Sequence, residues 1–214
     1  LKERVSASMK KILLIFTILL AFVISCGKGG DSETLKLNLK EEGKSYDPQL
    51  ANDSTGEFVD SLIAETLTRQ AEDGKSIPGV AEKWEHNENS TVWTFHLRKN
   101  AKWSNGDPIT ANDFKAAWLR GLNPATAAEY AFMLYPIKNA EEFNTGKAKV
   151  EDLGIEVTDD KTIKITLEAP IPYFDDLVTF KSFMPLNQKF YNEVKDKYFT
   201  DAEYTISNGP YTME

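Results

Sequence analysis

The 214-residue chain contains little cysteine and histidine, the residues that often bind metals, take part in catalysis or form disulfides. It has one cysteine, Cys26, and two histidines, His86 and His96. A lone cysteine forms no internal disulfide, so the fold must be stabilised by its hydrophobic core. Neither histidine stands at metal-ligand spacing from the other or from the cysteine. The sequence therefore favours neither a disulfide-stapled fold nor a zinc site.

The sequence also lacks the motifs of several enzyme classes. It contains no G-x-S-x-G nucleophile motif, no Walker A loop and no Rossmann glycine pattern. His86 lies in a polar run that predicts a solvated hairpin tip, and His96 is predicted on the solvent face of a strand. The net charge of −8 disfavours binding to nucleic acid. We therefore predict no enzyme activity, no catalytic or metal-binding residue, no cofactor and no nucleic-acid partner.

The first segment has the pattern of an export signal. Leu1–Ser8 precede the first methionine, and we interpret them as residues upstream of the true translation start. Lys10 and Lys11 then form a positive region, followed by the apolar run Ile12–Ile24, which is too short to span a bilayer. The segment Val23-Ile24-Ser25-Cys26 resembles a bacterial lipobox. We predict a signal peptide over 1–25 and a lipidated Cys26, the alternative being a spare thiol at a conventional cleavage site.

The segment after the cysteine is predicted to be a tether. Residues 26–34 combine the cysteine with a Gly-rich, polar stretch, the composition of a flexible spacer. Without residues 1–25 the chain would carry a net charge of −11, which repels anionic headgroups. The acyl chains at Cys26 would therefore hold the protein at the membrane.

The densest aromatic stretch lies between residues 81 and 122 and contains all four tryptophans. Trp93, Phe95 and Leu97 alternate with polar residues, which is typical of a half-buried strand. Residues 104–108 predict a turn, and Thr110 predicts the start of a helix, with its hydroxyl accepting from the amide of residue 113. We expect this strand, turn and helix to form the centre of the core.

The remaining chain alternates predicted strands and helices. Strands are expected at 35–39 and, as a hairpin, at 155–158 and 162–167. Helices are expected over 125–135 and 140–143, near Phe174, around 190–194, and in a segment whose apolar face would comprise Phe58, Leu62, Ile63 and Leu67. This mixture predicts an α/β (mixed α+β) fold.

Several motifs together resemble one family. The stretch WTFHLRKNAKWSNGDPITANDF at 93–114 is similar to the signature of family 5 solute-binding proteins, the oligopeptide-binding components of ABC importers. Further matches are the Tyr46-Asp47-Pro48 element, PGVAEKW at 78–84, PATAAEY at 124–130, PIPYF at 170–174 and SNGPY at 207–211. The resemblance covers 35–214 and implies a lobe of the type II periplasmic-binding-protein kind. Because family members are roughly twice as long, we expect 35–214 to be the N-terminal portion of a two-lobed binding protein, truncated at its C-terminus and folding poorly alone.

The resemblance also implies a function and a set of ligand-binding residues. The protein would be an extracytoplasmic, lipid-anchored monomer that captures short peptides and delivers them to ABC permease subunits of the membrane. By position in the family motifs, the candidate ligand-binding residues are Asn52, Ser54, Tyr130, Phe180 and Ser182. Asn52 stands where relatives can carry an acidic residue and Phe180 replaces a polar residue, so an altered ligand preference is implied.

Three alternatives remain open on the sequence. The same fold can bind nickel chelates, sugars or haem, since a fold does not determine its ligand. The protein could instead be a surface lipoprotein that acts as an adhesin or a peptide-signal sensor. A metal-dependent enzyme is the third alternative. For each predicted binding residue, the alternative is that it is an ordinary core or loop residue without a ligand contact.

Overall fold

The computed structural model describes residues 34–214, as two units divided between Leu39 and Lys40. The predicted signal peptide, the lipidation of Cys26 and all of the predicted spacer except Thr34 lie outside the described residues. In the first unit, residues 34–39 carry neither helix nor strand. All elements of regular structure described below belong to the second unit.

The second unit alternates short strands and helices. Its α-helices are α1 (Ser54–Ile63), α2 (Ala111–Leu122), α3 (Ala140–Asn144), α4 (Phe174–Leu177) and α5 (Gln188–Val194). Its strands are β1 (Thr68–Gln70), β2 (Ser76–Pro78), β3 (Ala81–His86), β4 (Val92–Leu97), β5 (Ile155–Asp159) and β6 (Thr162–Thr166). Six 3₁₀ turns lie at Pro124–Thr126, Ala131–Leu134, Val150–Asp152, Lys181–Phe183, Lys195–Lys197 and Ala202–Tyr204. The predicted mixed α/β class is confirmed.

The main sheet is antiparallel, with the strand order β3-β4-β6-β5, and β1 and β2 form a separate two-stranded sheet. Strand β4 buries Trp93, Phe95 and Leu97 and leaves the residues between them partly exposed, as the alternating pattern predicts. In β6, Ile163 and Ile165 pair with these aromatic positions and are also buried. One face of the sheet is therefore apolar, and the predicted hairpin of β5 and β6 is confirmed.

The predicted turn and helix after β4 are also present. Gly106 adopts a positive φ of 88°, a conformation that costs glycine little. Helix α2 begins with a capping box, in which the Thr110 side chain faces the backbone amide of Asp113 as predicted. In return, the carboxylate of Asp113 accepts from the backbone amide of Thr110 at 2.8 Å and from the Thr110 hydroxyl at 3.3 Å.

A chain of buried aromatic rings connects the sheet to helix α2. Phe174 lies 5.9 Å from Trp93 and 6.0 Å from Phe183, measured between ring centroids. Phe183 in turn lies 5.6 Å from Trp118 of α2, whose indole N–H donates to the Phe183 carbonyl at 3.1 Å. The core thus passes through the segment 174–183, which is also where two candidate binding residues lie.

The prediction of a first strand at 35–39 is wrong. Leu35 and Leu37 are about half exposed, and the segment has no strand assignment. Alternation of leucine with polar residues describes one face of a strand, but a strand also needs a hydrogen-bonding neighbour. Among the residues that the structure describes, none pairs with 35–39 in a ladder.

The predicted apolar face of α1 is also wrong. The helix buries Gly56, Val59, Asp60 and Ile63, whereas Phe58 is 46% exposed. Leu67 is fully buried but lies beyond the end of the helix. The predicted helix extends to Leu67, whereas α1 ends at Ile63. The buried residues of α1 lie at positions i, i+3, i+4 and i+7 counted from Gly56.

The helix predicted over 125–135 forms only as two separate 3₁₀ turns. Ala127 has a left-handed φ of 53°, which ends the first turn, and the second begins only at Ala131. The chain in between carries Tyr130. The helices expected at 140–143, near Phe174 and around 190–194 are confirmed as α3, α4 and α5.

The SNGPY motif at 207–211 is hydrogen-bonded to the chain segment that follows α1. The amide side chain of Asn208 accepts from the backbone N–H of Glu65 at 3.0 Å and donates to its carbonyl at 2.8 Å. A Cβ atom at Gly209 would lie 2.7 Å from the backbone of Ile63, so a side chain would collide there. The glycine of this motif therefore permits close packing of two chain segments.

Among the helices of residues 34–214, none combines the length and the apolar character that crossing a bilayer requires.

Candidate functional site

The candidate site is centred on a buried lysine. Lys181 follows α4 in the 3₁₀ turn Lys181–Phe183, and only 6% of its surface is exposed. Its ammonium group donates to the backbone carbonyl of Ala51 and forms an ion pair of 2.7 Å with Glu57 in α1. It also lies 4.4 Å from the ring centroid of Tyr130, a cation–π distance. One side chain therefore joins three segments that are far apart in sequence.

Aromatic rings form the outer part of the same cluster. The ring of Tyr130 lies 5.6 Å from that of Phe180 and 5.8 Å from that of Phe132. Tyr130 and Phe180 are partly exposed, and Phe132 is 53% exposed. These three rings, which we call the aromatic wall, present a polarisable apolar surface to solvent. Such a surface suits the side chains or the backbone of a bound ligand.

Ser182 supports this wall from behind. Its side chain is buried, and its hydroxyl donates to the backbone carbonyl of Tyr130 at 3.4 Å. A narrow gap between Tyr130, Ser182, Ala131 and Gln49 has no room for a water molecule. The hydrogen bond connects Ser182 to the Tyr130 segment, and Ser182 stays a candidate ligand-binding residue.

Asn52 and Ser54 lie at the edge of the cluster. Asn52 directly follows Ala51, whose carbonyl binds Lys181, and Ser54 is the exposed first residue of α1. Between them, Asp53 caps the helix by accepting from the backbone amides of Thr55 and Gly56 at 3.0 Å. Among the hydrogen bonds of residues 34–214, neither the Asn52 nor the Ser54 side chain takes part. Both remain candidate ligand-binding residues.

A buried carboxyl group lies on the inner side of the cluster. Asp60 is fully buried on α1, and both of its carboxyl oxygens lack a hydrogen-bond partner among the described residues. Burial raises the pKa of Asp60 to about 8, and the nearby positive charge of Lys181 only partly opposes that shift. At neutral pH the Asp60 side chain is therefore mostly protonated and uncharged.

The Tyr46-Asp47-Pro48 element is anchored by a second buried ion pair. The guanidinium of Arg120 donates to both carboxylate oxygens of Asp47, at 2.8 and 2.5 Å, and to the Gln49 side chain at 3.1 Å. The bidentate geometry makes this a specific contact. A hollow of about 560 Å³ lies beside this ion pair. It is lined by residues 42–47, Leu50, Arg120, Tyr191, Lys195, Asp196 and 198–200. None of the predicted binding residues lines this hollow.

The two histidines have other surroundings. His86 is exposed and its ring lies 4.4 Å from that of Trp93, and His96 forms a 2.9 Å contact with Glu85 on the solvent face of the sheet. In the part of the chain that the structure describes, no group of three or more histidine, cysteine, aspartate or glutamate side chains could hold a metal ion.

The structure brings together Tyr130, Phe180 and Ser182. Asn52 and Ser54 lie on the segment whose Ala51 carbonyl and Glu57 carboxylate contact Lys181. Sequence reasoning missed Lys181, Glu57 and Asp60. A signal for Lys181 existed, because it is the only charged residue in the otherwise apolar and small stretch from Leu177 to Leu186. Asp60 could have been found from the helix period, since it lies three residues before the buried Ile63.

Comparison with known proteins gives a consistent result. The model of the family described as "Bacterial extracellular solute-binding proteins, family 5 Middle" matches residues 75–214. The oligopeptide-binding protein OppA of Bacillus subtilis is 41% identical over 219 residues, which is 96% of this chain and 39% of that protein. The chain thus spans about two fifths of the length of this curated relative.

Solved structures with the same fold include peptide receptors. The substrate-binding domain of an oligopeptide ABC transporter from Bacillus anthracis superposes with a TM-score of 0.77 at 44% identity, covering 81% of this chain and 34% of that one. Haemophilus influenzae OppA in complex with the peptide RPPGFSPFR superposes with a TM-score of 0.76 at 41% identity, covering 80% and 34%. Most of this chain therefore has the fold of one part of these larger proteins.

Proposed function

Because the chain belongs to the family 5 bacterial extracellular solute-binding proteins, we propose that it supplies one wall of a receptor that captures short peptides for import by an ABC transporter. The observation that carries the proposal is the convergence of Tyr130, Phe180 and the buried Ser182 into one cluster whose two rings are partly exposed. Tyr130 and Ser182, which are 52 positions apart in sequence, contact each other there. A binding surface is commonly formed by such distant segments. That relatives named for oligopeptide binding share the lobe supports the peptide as ligand.

The chemistry of the wall suits a ligand of variable sequence. A receptor for many peptides gains affinity from main-chain hydrogen bonds, and it needs roomy pockets for the side chains. The partly exposed rings of the aromatic wall offer apolar contact without demanding one hydrogen-bond pattern. The opposing wall would come from a second lobe that closes over the peptide by hinge motion.

The proposal includes the organisation of the whole protein. Residues 1–25 would be a signal peptide, residues 26–34 a lipidated Cys26 with its flexible spacer, and residues 35–214 the N-terminal portion of the binding domain. The protein would act as a monomer on the outer side of a bacterial membrane and deliver peptides to permease subunits. Its role is binding, not catalysis.

Native mass spectrometry of the unlipidated protein, expressed with all residues that its gene encodes, tests the ligand class. We expect a ladder of adducts whose masses match short peptides, and this ladder gives the peptide length directly. One discrete mass would instead indicate a dedicated ligand such as a sugar, a nickel chelate or haem. A protein that stays empty in a peptide mixture would contradict the peptide proposal and favour adhesion or sensing.

Replacing Tyr130 tests the location of the site. We expect Tyr130→Ala to weaken peptide binding about tenfold, because it removes a ring that contacts two neighbours and offers its face to the ligand. Titration calorimetry with a peptide found by mass spectrometry measures the change. Tyr173→Ala is the matched control, since Tyr173 is 61% exposed and lies outside the cluster. Equal affinities of the two folded variants would contradict the assignment.

A further inference from the structure

Lys181 is a charged residue that is almost completely buried beside the aromatic wall. A lysine is rarely buried unless its charge is paired, because removing an ammonium group from water is costly. Here the ammonium makes a hydrogen bond to the Ala51 carbonyl, an ion pair with Glu57 and a cation–π contact with Tyr130. These contacts come from the segment 51–57, which includes the candidates Asn52 and Ser54, and from Tyr130, which is itself a candidate.

Within residues 34–214, Glu57 is the one acidic side chain that forms an ion pair with Lys181. Asp60 faces the lysine, but burial raises the pKa of its carboxyl group to about 8. Asp47 is engaged by Arg120, and Asp53 caps α1 through the amides of Thr55 and Gly56. The pair Lys181–Glu57 is therefore close to neutral as a unit.

The Glu57 carboxylate is the exposed half of this pair. Its side chain is 42% exposed, whereas that of Lys181 is 6% exposed. A ligand that lies on the aromatic wall therefore meets a carboxylate whose charge is already balanced from behind. Asn52, at the edge of the cluster, adds no charge of its own.

We propose that Lys181 is a positioning residue that determines charge specificity: by neutralising Glu57 and supporting Tyr130 and Phe180, it makes this wall selective for uncharged peptide side chains over cationic ones. The proposal rests on the peptide-binding function proposed above. A cationic side chain placed against this wall loses water, while the Glu57 carboxylate and the Tyr130 ring, which would attract it, already contact Lys181. An apolar side chain gains contact with the rings at no such cost.

The test compares charge preference between variants of the full protein that the gene encodes. The probes are six synthetic tripeptides, with lysine or leucine placed in turn at each position of an alanine tripeptide. For each protein, competition binding gives the ratio of the dissociation constants for the lysine and leucine peptides. Wild type should prefer leucine at one position or more.

The variant Lys181→Met keeps a side chain of similar length but removes the charge, which leaves the Glu57 carboxylate free. We expect the preference to shift toward the lysine peptide by about fivefold at the position that contacts the wall, as for an exposed or half-exposed charge pair. The double variant Lys181→Met/Glu57→Gln should return to the wild-type ratio. Lys164→Met, which removes an exposed lysine paired with Glu156 at 2.8 Å on the sheet, should leave the ratio unchanged.

A second variant keeps the proposal testable if Lys181→Met does not fold. Glu57→Gln leaves the lysine uncompensated, so a tripeptide with glutamate at the same position should bind about fivefold more tightly relative to its leucine counterpart. Unchanged ratios in folded Lys181→Met or Glu57→Gln would overturn the role of Lys181 while leaving peptide binding intact. Failure of wild type to bind any tripeptide or longer peptide would overturn the proposed function itself.

Discussion

At the scale of single residues, Asp60 makes the stability of this fold depend on pH. Its carboxyl group is buried on α1 without a hydrogen-bond partner among the described residues, and burial raises its pKa from 3.8 to about 8. In the unfolded chain the group ionises near pH 4, whereas in the folded chain it keeps its proton up to about pH 8. Between these values the folded state binds more protons, so the free energy of unfolding decreases as the pH rises.

The variant Asp60→Asn tests this pH dependence because the amide cannot ionise. We expect the stability of the variant relative to wild type to increase by at least about 1 kcal/mol between pH 5 and pH 8. Urea unfolding at several pH values measures the difference.

Glu151→Gln is the control for this experiment, since Glu151 is exposed and its replacement should change stability little at any pH. If Asp60→Asn and wild type lose stability in parallel as the pH rises, Asp60 is not the group responsible.

Single residues were also where sequence reasoning was least complete. The five ligand-binding candidates came from positions in family motifs, and three of them form one cluster. Lys181 and Glu57 lie in that cluster too, but their pairing joins residues 124 positions apart. No local pattern encodes such a contact, because a charged side chain looks the same in sequence whether it is solvated or buried.

At the scale of secondary-structure elements, the position of α1 depends on Gly56. A Cβ atom at this position would lie 2.4 Å from the carbonyl oxygen of Ser45 and 3.1 Å from Cβ of Ala51. The helix therefore packs closely on the segment that contains the Tyr46-Asp47-Pro48 element. This contact also sets where Glu57 and Asp60 meet Lys181.

Gly56→Ala should destabilise the protein, although alanine usually favours a helix by about 1 kcal/mol over glycine. The methyl group collides with backbone that has little freedom to move, and overpacking of this kind costs about 1–3 kcal/mol. Thermal unfolding measures the change. Ser61→Ala, at an exposed position of the same helix, is the control and should be close to neutral. A stabilised Gly56→Ala variant would show that α1 can shift without loss.

The same alternating pattern had different outcomes in two segments. Residues 92–97 form β4 because β3 and β6 flank it on both sides. Residues 35–39 carry a similar pattern and form no strand in the structure. Periodicity describes how one segment would expose its side chains, and the partner strand that makes a ladder comes from elsewhere in the chain.

At the scale of the whole molecule, Phe174 connects the sheet to the segment that carries the site. Its fully buried ring contacts Trp93 and Phe95 of β4 and Phe183 beside the Lys181 cluster. Loss of this ring would leave a cavity between the two parts of the core.

Phe174→Ala should lower the free energy of unfolding by about 3–5 kcal/mol, because truncation of a buried aromatic ring adds a cavity to the lost burial. Urea unfolding followed by tryptophan fluorescence measures it, since Trp93 is a neighbour. Tyr173→Ala is the matched control, because the adjacent ring is 61% exposed. Similar losses in the two variants would contradict the central position of Phe174.

The sequence by itself determined the family, the mixed α/β class, strand β4 with its buried aromatic face and the turn and helix that follow it. These features depend on local periodicity, on turn and capping residues and on motifs that occur in a set order along the chain. Only the tertiary structure decided which face of α1 is buried and that a lysine joins Ala51, Glu57 and Tyr130. Such contacts form between segments distant in sequence, and their energies depend on burial and on the partner's charge, which exist only once the chain has folded.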